Sequence, residues 1–104
     1  MSRGPDVATL LSRALLASAA AAGCPVTVTE SDWTRWASVT FTGARHHLTL
    51  SGEPWPALDA WLDALPEAEF ALRGHLVADL VVTRVRRGAE AVTMELEILT
   101  VEER

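Results

Sequence analysis

The sequence predicts an α+β fold: a single antiparallel sheet with both helices on one face. Three observations lead there. Apolar residues recur at helical spacing over 5–22 and again over 54–65. Elsewhere the apolar period falls to two, in stretches short enough to be strands. Most of these stretches are joined by only a few turn residues, which makes neighbouring strands antiparallel hairpins. The predicted order is α-β-β-β-α-β-β.

The first helix is expected over 5–22. Pro5 suits its first position and Asp6 the positive end of its dipole. Val7, Leu10, Leu11, Ala14 and Leu15 form one stripe. Ser18 comes next on it, its hydroxyl expected to bond back to a carbonyl one turn earlier. Gly23 ends the helix because it takes a left-handed conformation without a Cβ penalty. Val26 and Val28 alternate with Thr27 and Thr29 as a strand, and Glu30-Ser31-Asp32 reads as a turn. Residues 36–42 and 45–51 read as a hairpin closed by Gly43-Ala44 in a type II′ turn. That register pairs Phe41 with His46, Val39 with Leu48 and Ala37 with Leu50 on the apolar face. In the second helix, 54–65, Pro54 and Pro56 belong to or precede the first turn. Leu58, Trp61, Leu62 and Leu65 are its buried stripe, and Pro66 stops it. A last hairpin turns around Arg87-Gly88-Ala89 and pairs Val82 with Met94 and Leu80 with Leu96. No internal repeat is legible.

At 104 residues the chain is expected to be one domain, 1–104, with a core that needs no metal or disulfide. A net charge of -5 supplies no basic face, so nucleic acid is not an expected partner. Arginine without lysine, abundant alanine and a single isoleucine fit a GC-rich bacterial genome. One cysteine, Cys24, forbids an intrachain disulfide and points to the reducing cytoplasm. Residues 14–24, ALLASAAAAGC, offer a rival: the end of a bacterial lipoprotein signal, with Arg3 as its charged segment and an anchor at Cys24. Asp6 and Arg13 interrupt such a leader, and a strand pattern follows Cys24 directly, so a retained helix is expected. No segment approaches the length of a membrane span.

Functional residues are sought where polar groups collect. Arg73, His75 and Asp79 share the odd parity that faces away from the core, together with Glu95 and Glu97 of the next strand. This register sets Asp79 against Glu97, an opposition that calls for a cation, an arginine or open water. His75 and Asp79 lie about 13 Å apart along an extended strand, too far for a dyad. Read functionally, His75, Asp79, Glu95 and Glu97 form a polar ligand site; read structurally, they are a solvated face. Val77, Val81, Val85, Leu99 and Val101 share that parity and break the polar alternation, which points to burial against a second copy and a homodimer. His46 and His47 are adjacent and face opposite ways, with His46 hydrogen-bonded in the core. With no zinc-type spacing, neither a metal nor a cofactor is expected. Cys24 reads as a buried, inert thiol. Trp33, Trp36 and Trp55, with Arg35 and Arg45, are the expected groove for a protein partner or a small apolar ligand.

Two classes of function follow. One is a small non-enzymatic binding or adaptor protein acting as a homodimer. The other is a small enzyme or metal-dependent protein centred on His75, Asp79, Glu95 and Glu97. The predicted order α-β-β-β-α-β-β resembles the start of the secretion-chaperone topology, whose members are also small, acidic and dimeric. The resemblance is one of element order alone, and this chain lacks their final helix.

Overall fold

A computed structural model describes residues 6–103. Helix α1 (Val7–Ala21) starts at Asp6, whose Oδ1 accepts the Thr9 backbone N–H at 2.9 Å. This N-cap satisfies a donor that the first turn leaves free. Pro5 lies outside the described residues. Leu11, Leu15 and Ala19 are the buried stripe, and Gly23 leaves the helix at φ 81°. Helix α2 (Pro56–Ala64) runs into a 3-10 turn at Leu65–Glu67. The two helices are tied where Trp61 Nε1–H donates to Ser18 Oγ at 2.9 Å, a role for Ser18 different from the expected bond to its own helix.

The strands are β1 (Val26–Ala37), β2 (Thr42–Gly52), β3 (His75–Arg87) and β4 (Val92–Glu102), arranged β1-β2-β4-β3 with every neighbour antiparallel. Leu48 and Leu50 of β2 and Met94, Leu96 and Ile98 of β4 meet the helices in one core. Both helices therefore cover one face, and the α+β class stands. The order is α-β-β-α-β-β, one strand fewer than the sequence suggests, and the likeness to the secretion-chaperone order goes with it.

The difference has a local cause. Glu30-Ser31-Asp32 is not a turn; a bulge at Thr29 absorbs one residue and β1 continues. The hairpin turns at 38–41 instead, where Ser38 N–H donates to the Phe41 carbonyl at 2.7 Å and Ser38 Oγ accepts the Phe41 N–H at 3.1 Å. Gly43 and Ala44 lie inside β2. The pairs are therefore Trp33↔His46, Ser31↔Leu48 and Ala37↔Thr42. In β3, register shifts between Val77 and Asp79 and between Val82 and Arg84 change the parity twice. Val82 pairs with Leu96, Leu80 with Ile98, and Asp79 with Leu99 rather than Glu97.

The structure also shows a repeat. A shift of 50 positions carries Thr42–Gly52 onto Val92–Glu102 and all of Val26–Ala37 onto β3. It carries the Ser38–Phe41 turn onto Gly88–Ala91, where Gly88 N–H donates to the Ala91 carbonyl at 2.9 Å. Each half is a helix followed by a hairpin. His47 pairs with Glu97, its own equivalent, so a pseudo-two-fold passes between them.

Candidate functional site: the open sheet face

Strand pairing fixes what the uncovered face carries, because directly opposed residues point the same way. From one end to the other, the rows across β1, β2, β4 and β3 are Thr27, Ser51, Thr93, Arg86; then Glu30, Thr49, Glu95, Arg84; then Asp32, His47, Glu97, Val81. They finish with Thr34, Arg45, Leu99, Asp79 and Trp36, Gly43, Val101, Leu76. The middle rows are polar and cross-linked by charge. Arg45 Nη1 lies 3.6 Å from Glu97 Oε1, His47 Nε2 3.5 Å from Glu95 Oε1, and Arg84 Nη1 3.9 Å from Glu95 Oε2. Among the described carboxylates of this face, Asp79 has no partner. It borders a shallow groove with Arg45, Val81 and Leu99.

The last row is different. It is apolar across all four strands, Leu99 and Val81 extend it inward, and Leu76 and Val81 are 54% and 45% exposed. The hairpin tip beyond it carries Val39, fully exposed, and Phe41, half exposed. The pseudo-equivalent tip makes the same turn with Ala89 and Ala91. The same turn thus forms without a large apolar side chain, and Val39 and Phe41 stand exposed at its tip. Trp36 lies over Gly43, with its indole N–H buried and without an acceptor among the described residues.

The residues singled out in the sequence divide between the two faces. Asp79, Glu95 and Glu97 do share the open face. His75 pairs with Glu102 at the helix-side end of the sheet, its Nδ1 3.1 Å from the Arg73 carbonyl, so these four do not converge. Val81 and Leu99 are on the open face, whereas Val77 and Val85 turn to the helix side because of the two bulges in β3. The four do not form one surface. Trp36 and Arg45 are on the open face. Trp33 and Arg35 project from the other side of β1, where Arg35 Nη2 lies 3.9 Å from Glu102 Oε2, and Trp55 caps α2 beyond the opposite end of the sheet. These five do not line one groove. Sequence reasoning missed Leu76, Val39 and Phe41 as part of an apolar surface.

Other reactive groups lie in the core. Cys24 is buried, and burial pushes its thiol above the ordinary range. Among the described residues no three His, Cys, Asp or Glu side chains are grouped to hold a metal ion. His46 is 2% exposed, and its Nε2 lies 2.9 Å from Thr100 Oγ1. Burial holds its pKa below the usual imidazole value, with His75 adding to the shift and Asp6 opposing it. The unfolded chain takes up this proton near pH about 6.5, before the folded one does. The contribution of His46 to stability is therefore intact above that pH and lost as pH falls below it. Thermal melting followed from about pH 7.5 to about pH 5 should show a falling midpoint, and His46→Gln should flatten the slope. An unchanged slope in the variant would remove His46 as its origin.

No family model matches the chain, and no curated protein matches it. Among solved structures, a chain from the virion of a native gene transfer agent particle is similar to it, with a TM-score of 0.64 and 20% identity over 98% of this chain and 100% of that one. At this identity the likeness shows a shared fold. No helix among the described residues is long and apolar enough to cross a membrane.

Proposed function

We propose that this chain is a non-enzymatic binding protein that acts as a homodimer within a larger assembly and docks through the open face of its sheet. The observation that carries this reading is the apolar band of Trp36, Val101, Leu76, Leu99 and Val81. Single exposed apolar residues are ordinary, but a contiguous strip rimmed by charges marks a protein contact. The shared fold with a chain of a virion particle supports a place in an assembly. His75 stands apart from the three acids, which supports a binding role over a polar catalytic site. A reducing cytoplasm suits the single buried thiol.

Val81→Glu tests the reading. Val81 is 45% exposed, so the change should leave the fold of the monomer intact, with an unchanged circular dichroism spectrum. It should shift the protein from dimer toward monomer in sedimentation equilibrium. A variant that remains as dimeric as the wild type would sink the proposal.

A further inference from the structure

We infer that the open face receives a second copy of this chain, packed face to face about a two-fold axis that runs parallel to the strands between β2 and β4. The inference rests on the docking reading above and specifies its occupant and geometry. The axis carries β1 of one copy over β3 of the other and keeps each row over itself. Glu30 then faces Arg84 of the second copy, His47 faces its Glu97, and Trp36 faces its Leu76. Gly43 meets Val101, and the Thr34 hydroxyl reaches Asp79, the carboxylate left without a partner. Arg45 lays its aliphatic stem over Leu99. Asp32 over Val81 is the one mismatched pair.

The other in-plane axis, across the strands through the His47–Glu97 row, fails. It would set Asp32 on Asp32 and Glu97 on Glu97, and would cover Trp36 and Leu76 with Thr27 and Arg86. Like charges and apolar-on-polar contacts oppose that arrangement.

Area agrees with a second copy. Four strands and five rows span about 19 Å by about 30 Å, or about 600 Å² before side-chain relief, near the about 800 Å² that each partner buries in a standard interface. Continuation of the sheet through its edges is disfavoured, because β1 carries a bulge at Thr29 and β3 carries two, and bulges blunt edge pairing. Aligned sheets pack about 10 Å apart, which the Glu30 and Arg84 side chains can bridge together. The same axis places both Val39 and Phe41 tips at one end of the dimer.

Sedimentation equilibrium on the full chain tests this with four variants. Glu30→Arg and Arg84→Glu should each weaken the dimer about tenfold, and the double reversal should restore it. Arg84 also lies 3.9 Å from its own Glu95, an exposed pair of little weight for folding. Leu76→Glu should give a monomer with an unchanged circular dichroism spectrum. A wild-type dimer that Leu76→Glu breaks, but that the double reversal fails to rescue, would overturn this axis and leave open-face docking standing. A wild-type chain that stays monomeric at every concentration would overturn both.

Discussion

Alanine at Gly43 is expected to destabilise the protein by about 3 kcal/mol or more. Gly43 lies in β2 where it pairs with Val101 of β4, at the middle of the sheet. A Cβ there would run into the Thr100 carbonyl oxygen and would sit 3.0 Å from both its carbon and Trp36 Cε2. The obstacle is backbone, so relief requires parting the central pair of strands. The same step would unseat Trp36 and damage the docking face. Gly23→Ala is a useful contrast: its φ of 81° strains alanine, but nothing lies within 4 Å, and about 1 kcal/mol is expected. Urea denaturation of both variants checks the order. A loss below about 1 kcal/mol at Gly43 would show that the sheet is looser than described.

Leu96→Ala should cost about 3–5 kcal/mol. Leu96 is fully buried on β4, opposite Leu48 on one side and Val82 on the other, under the helices. Sheet neighbours on both sides hold the backbone in place, so the site cannot collapse to fill the space. The effect should appear as a lower denaturation midpoint with an unchanged slope. Leu76→Glu, on the open face of the same sheet, should leave monomer stability nearly intact. Equal damage from the two would contradict the division into a core face and a docking face.

The helices were legible because their apolar stripes span several turns and their ends carry Asp6, Gly23 and paired prolines. The strands were legible as a class but not in register. A bulge inserts one residue without a composition of its own, so Thr29, Ala78 and Thr83 looked like ordinary strand positions. Each reverses the parity beyond it, so simple alternation puts Val77 and Val85 on the same face as Val81 and Leu99 when they face the helices. Gly43 misled for another reason. Glycine serves tight turns and close backbone approach alike, and here the second holds, while the Ser38 side chain closes the real turn. Once β1 is read as one strand, Trp33 and Trp36, three apart, must face opposite ways. The internal repeat keeps inward and outward alternation but little identity: His46 corresponds to Leu96 and Leu50 to Thr100. His46 then needs Thr100 as its hydrogen-bond partner, the polar position that its own equivalent strand supplies.

Native mass spectrometry of the purified chain beside Val81→Glu tests the open-face dimer most directly. It reports oligomeric state and any bound mass in one spectrum. A face-to-face dimer gives a wild-type ion at twice the 11.2 kDa chain mass with nothing added, and a monomer for the variant. A wild-type monomer carrying a metal ion or a small organic molecule would contradict it, and would move the function from the docking face to a ligand site.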